Sequence, residues 1–217
     1  MSKIAELKAL LKNNDMAAIL LLVKENPGVL KEKDENNTTG LLSIAYQSNK
    51  EIIAEIAQLA DNFTFYEAIV CGQDAQVRTD INSDPGVLDA YSPDGFTPVA
   101  LACFFSQDEI ADFLIKQGAD PNIGASNPSK VNALHAAISR NNFDLVKMLI
   151  GNGADVNATQ MQNVTPLHSA VHRGNLPLVK LLVEHGADIS AKMDNGDSAI
   201  SIATREGHLD IKEYLGK

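Results

Sequence analysis

The apolar positions of this chain fall into short helical stretches that repeat, and the most regular copy runs from Gln162 to Ala191. There Leu167, Ala170 and Val171 recur at helical spacing and form one apolar face. Thr165 before Pro166 predicts the start of this helix: the threonine oxygen accepts an orphan N–H of the first turn, and proline at the first position gives up no hydrogen bond. Gly174-Asn175 breaks the helix. Leu178, Val179, Leu181, Leu182 and Val183 then predict a second helix, apolar on more than one side and therefore sandwiched, which Gly186 ends in a left-handed conformation. Such a hairpin cannot bury its own apolar surface and requires similar units beside it.

The neighbouring sequence supplies them. Aligned beneath Thr165, the same slot holds Thr97, Asn132 and Ser198, then Thr39, and more loosely Phe63 and Ala5. Successive separations are 34, 24, 34, 35, 33 and 33 residues. Thr, Asn and Ser are all good helix N-caps, so the slot repeats a chemistry as well as a spacing. Gly118, Gly153 and Gly186 recur in phase, each opening Gly-Ala-Asp, and are expected to end second helices. The short separation of 24 implies that the connecting finger before Phe63 is missing. Asn26 to Leu30 and Asp84 to Leu88 are near copies, which supports the register in the first ninety residues.

This pattern resembles the ankyrin-repeat family, whose Thr-Pro-Leu-His signature stands here as Thr165-Pro166-Leu167-His168-Ser169-Ala170. Looser versions are Thr97-Pro98-Val99 and Asn132-Ala133-Leu134-His135. The resemblance implies an all-α solenoid of seven stacked helix pairs, including terminal caps, in one domain. The expected repeats are about 1–34, 35–61, 62–92, 93–126, 127–159, 160–192 and 193–217. It also implies a structural role for Thr97, Thr165, His135 and His168, the histidine rings bracing the turn region. Asn122 and Asn157 would brace the loops.

The net charge of −10 argues against wholesale binding of nucleic acid or anionic membrane. No apolar run approaches the length of a spanning helix. No signal peptide is read at the N-terminus, and Cys71 and Cys103 give no disulfide framework, so a cytoplasmic address is expected. No phosphate loop, metal-ligand spacing or nucleophile motif occurs. The expectation is therefore a monomeric, non-catalytic scaffold or adaptor with no metal and no cofactor, and another protein as its partner.

In the family, the turn tips and first helices line a concave binding face. Here the positions seven and eight after the Thr slot are expected to look outward: Tyr46-Gln47, Val70-Cys71, Phe104-Phe105, Ser139-Arg140, His172-Arg173 and Arg205-Glu206. Phe96 and Met161 stand at turn tips. The candidate contacts are Phe96, Phe104, Phe105, Arg140, Met161, His172, Arg173 and Arg205, an aromatic and basic row on an acidic protein. Its expected occupant is a segment with an apolar anchor near Phe104 and acidic groups near Arg140 and Arg173. The alternative is a small enzyme or a metal- or small-molecule-binding protein using His168 and His172.

Overall fold

A computed structural model describes residues 2–216. Among them, fourteen α-helices follow one another as seven consecutive pairs. Contacts group the chain into two compact units, Met1–Pro85 with Ser92–Asp94, and Gly86–Tyr91 with Gly95–Lys217.

The first unit holds α1 (Lys3–Lys12), α2 (Met16–Glu25), α3 (Gly40–Ala45), α4 (Lys50–Ala57), α5 (Phe65–Val70) and α6 (Asp74–Ser83). First helices stack in order, α1 on α3 and α3 on α5. The core gathers Leu7, Ile19, Val23, Leu30 and Ile44, all essentially inaccessible to solvent. At Gly40 a Cβ would meet the Val29 carbonyl oxygen at 2.2 Å, so only glycine lets the chain pass there.

The second unit holds α7 (Pro98–Phe104), α8 (Asp108–Lys116), α9 (Ala133–Ser139), α10 (Phe143–Gly151), α11 (Pro166–His172), α12 (Leu176–Glu184), α13 (Ala199–Glu206) and α14 (Leu209–Leu215). Again α7 packs on α9, α9 on α11 and α11 on α13, while α10, α12 and α14 form a parallel row. The deepest burial falls on the first helices rather than the second. Every residue from Ala133 to Ile138 in α9 is buried, whereas α12 turns Pro177, Lys180 and Glu184 to solvent. Small residues at Ala133, Ala136 and Ala137 allow this: a thin helix can be covered on both sides. Gly118, Gly153 and Gly186 end the second helices at φ of +99°, +87° and +89°. A Cβ there would meet nothing, so backbone conformation alone selects glycine.

The Thr slot is a row of helix caps. Side chains of Thr39, Thr97, Asn132, Thr165 and Ser198 accept from the backbone N–H three residues on, at Leu42, Ala100, His135, His168 and Ser201. The loose members of the alignment are corrected. In the third pair the cap is Thr64, not Phe63, and in the first pair Ser2, not Ala5, precedes the helix. Thr64 forms a full capping box with Glu67. A polar oxygen, not an aromatic ring, is what an orphan N–H requires. Thr64-Phe65-Tyr66-Glu67 carries the Thr-x-x-Glu signature in the sequence itself.

Glu67 also does something no local pattern predicts. It is 5% exposed, accepts from Thr64 N–H at 2.7 Å, and accepts from the Thr39 hydroxyl of the preceding pair at 2.5 Å. It stands three after its cap, where His135 and His168 stand in their repeats. Thr39→Val removes both the cap of α3 and one donor to a buried carboxylate. It is expected to lower unfolding stability by about 2 kcal/mol. Thr97→Val, which loses a cap alone, should cost about 1 kcal/mol in the same urea titration.

Candidate binding face

In the second unit the repeats are tied by polar side chains reaching one repeat onward. Asn122 donates to the Gly153 carbonyl at 3.0 Å and accepts from Asp155 N–H at 2.7 Å. Asn157 does the same with Gly186 and Asp188, at 3.0 and 2.8 Å. Each carboxamide therefore satisfies the loop that follows the next helix-ending glycine. Turn tips are joined by backbone bonds from Met161 N–H to Ser129 and from Asp194 N–H to Gln162, at 2.9 and 3.1 Å.

His135 and His168 belong to this bracing. His168 is buried. Its Nδ1 faces the Thr165 hydroxyl at 2.9 Å and accepts from Thr165 N–H at 3.2 Å. The proton on Nε2 is thereby free to be donated to the Ala191 carbonyl at 3.2 Å. His135 faces two oxygens, Asn132 Oδ1 at 2.8 Å and the Val164 carbonyl at 3.2 Å. A neutral ring carries one N–H and can serve only one of them. Burial pushes the His135 pKa down to about 4, partly offset by the Val164 carbonyl, and lowers that of His168 for the same leading reason. Both ring nitrogens of each histidine thus face protein atoms. Cys71 and Cys103 are free thiols, and burial pushes both up, Cys71 to about 12.

The outward row is only partly as expected. Arg140, Met161, His172, Arg173 and Arg205 are exposed, Met161 by 52%. Phe96 and Phe104 are half-buried. Phe105 is corrected: it is 8% exposed, and its ring is not presented to a partner. It meets Phe104 edge to face at 5.2 Å between ring centroids, 79° between planes. An eight-residue offset from the cap falls just past α7, where the ring turns inward. Val70 is likewise buried.

Phe104 in turn carries Arg140. The guanidinium carbon lies 4.0 Å from the ring centroid, and Nε donates to the Phe104 carbonyl. Burial lowers the Arg140 pKa, and the charge of Arg173 lowers it further. Arg205 is not an open cation. It donates to Asp197 at 2.6 Å and pairs with Glu206 at 3.3 Å, an arrangement that raises its pKa and lowers that of Asp197. His172 Nδ1 lies 3.7 Å from Glu206. These acids were in the sequence, but their reach across the turn was not.

In the first unit, Lys8, Lys12, Asp34, Tyr46, Gln47 and Asp94 line an open hollow of about 400 Å³. Lys8 is paired with Asp34 and Glu35. Burial, followed by the nearby Asp94 carboxylate, raises the pKa of Tyr46.

A family model of ankyrin repeats in three copies matches residues 7–160 and 134–217. The chain belongs to the ankyrin-repeat family. The fold is accordingly an all-α ankyrin-repeat solenoid. Over 62 residues it is 44% identical to human ankyrin repeat and KH domain-containing protein 1, covering 29% of this chain and 2% of that protein. Over 88 residues it is 43% identical to the putative ankyrin repeat protein FPV024 of fowlpox virus (strain NVSL), covering 40% of this chain and 14% of that protein. The chain spans only a small part of either relative. Ankyrin repeats are in general protein–protein interaction modules. No helix among the described residues is long and apolar enough to cross a membrane.

The bracing histidines make the fold sensitive to acid. Unfolded histidine takes up a proton below about pH 6.5, while folded His135 resists until about 4. The contribution is intact above pH 6.5 and is lost as the pH falls toward 4, with His168 acting in the same sense. Unfolding free energy should drop over that window by about 3 kcal/mol for His135, and His135→Gln should flatten the profile. Asn132→Thr supplies a hydroxyl that can donate to Nδ1, as Thr165 does to His168. It is expected to raise stability at neutral pH by about 1 kcal/mol in thermal or urea unfolding.

Proposed function

We propose that this ankyrin-repeat chain is a non-catalytic interaction module. It holds a partner protein on the face of the second unit that carries the first-helix ends and turn tips. Phe104, Arg140, Met161, His172 and Arg173 are its contact residues, with Phe96 and Arg205 at the margins. One observation carries the reading. Successive repeats present exposed side chains at the same register, while His135, His168, Asn122 and Asn157 are consumed in holding the repeats together. A surface ordered in advance loses little conformational entropy on binding, and aromatic and arginine side chains supply strong contacts. Free thiols fit a reducing compartment, and we place the module in the cytoplasm as a monomer.

The test is affinity capture from lysate of the native host on immobilised protein, read by quantitative mass spectrometry. Met161→Asp with His172→Asp should reduce the captured partner about tenfold, a loss of about 1.4 kcal/mol. Lys147→Glu, an exposed change on α10, should leave it unchanged. Equal capture by all three proteins would remove the assignment of this face.

A further inference from the structure

The arginines of this chain divide into two kinds. Arg78 and Arg205 are each paired with carboxylates, Arg78 with Asp74 at 2.7 Å and Arg205 with Asp197 at 2.6 Å. Arg140 and Arg173 form no ion pair among the described residues, although the chain carries 28 acidic residues against 18 lysines and arginines. They occupy equivalent places eight residues after their N-caps, Asn132 and Thr165, as the C-cap residues of α9 and α11, which pack against each other. Two like charges held one repeat apart repel, and after burial the charge of Arg173 is the second cause that lowers the Arg140 pKa.

Arg140 is also held in place. Its Nε is committed to the Phe104 carbonyl, and its guanidinium carbon lies over the Phe104 ring, which meets the buried Phe105 ring edge to face. What remains is the outer edge of a guanidinium, with its terminal NH2 groups open to a partner. A flexible solvated arginine would have to be ordered on binding, whereas Arg140 is already ordered. At physiological salt, charges beyond about 8 Å are largely screened. The local pair therefore outweighs the acidic average of the chain.

We propose that Arg140 and Arg173, mounted on the Phe104 ring, form a docking site for an extended acidic segment of a partner protein, whose carboxylates meet the two guanidinium groups. Packed helices stand about 8–10 Å apart. Same-face side chains of an extended chain recur at about 7 Å, so two acidic residues separated by one other can reach both arginines. A carboxylate between them removes their mutual repulsion and accepts paired N–H donors from each. Phe105 is a positioning residue that acts through Phe104. The inference rests on the interaction-module reading and names the chemistry of its partner.

The test uses the whole chain and fluorescein-labelled octaglutamate, followed by fluorescence anisotropy at low salt and at about 0.15 M salt. Binding should appear at low salt and weaken as salt rises. Arg140→Gln and Arg173→Gln should each weaken it about tenfold, and the double variant should abolish it. Arg140→Lys keeps the charge but loses the planar fork and the stack, and should recover only part of the loss. Lys147→Gln should bind as the natural chain does. Circular dichroism confirms that each variant is folded. Octaglutamate bound equally by the double variant, or not bound at low salt, overturns the proposal. So does an equal loss with Lys147→Gln. Displacement of octaglutamate by inorganic phosphate at far lower concentration would also overturn it, by reassigning the site to a free anion. If capture of a lysate partner still depends on Met161 and His172 while octaglutamate fails, the acidic chemistry falls and the module stands.

Discussion

Helices of six to ten residues, as in α3 and α1, do not persist alone in water. Within each unit the first helices cover one another, α1, α3 and α5 in the first and α7, α9, α11 and α13 in the second. That coverage demands small side chains on both sides, and α9 meets the demand with Ala133, Ala136 and Ala137. It also demands that no polar group of the helix start be left unmet. The capping oxygens of Thr39, Thr64, Thr97, Asn132, Thr165 and Ser198 answer this at each turn.

The same constraint explains where the chemically capable side chains went. A stack of short hairpins needs its loops fixed to one another, and loops have no ladder of their own. Asn122, Asn157, His135 and His168 supply those ties in the second unit. In the first unit the buried carboxylate of Glu67 occupies the place of the histidine and ties α5 back to Thr39. Neutral imidazole and a well-donated carboxylate solve one geometric problem in two ways.

With the interior spent on bracing, the exposed register row is the surface on which the proposed reading seats a partner. Its order is itself a product of packing. The buried Phe105 ring fixes Phe104, Phe104 fixes Arg140, and Asp197 with Glu206 quenches Arg205. A row that looks uniformly aromatic and basic along the chain becomes two open cations beside one closed ion-pair cluster.

The period, the caps and the helix-ending glycines were decided by the sequence alone, because each depends on residues within one turn of each other. Thr165-Pro166 and Gly186 carry their meaning locally, and Thr64-Phe65-Tyr66-Glu67 carried it too, although a looser alignment placed the cap at Phe63. Tertiary structure decided the rest. Phe105 points inward although its spacing from the cap points it out, Arg205 is closed by Asp197 across a turn, and Glu67 sends its second oxygen to Thr39 in the preceding pair. The physical reason is that a hairpin's inner surface is defined only when the next hairpin covers it. Local spacing tells which residues share a helix face, and only the neighbour tells what that face touches.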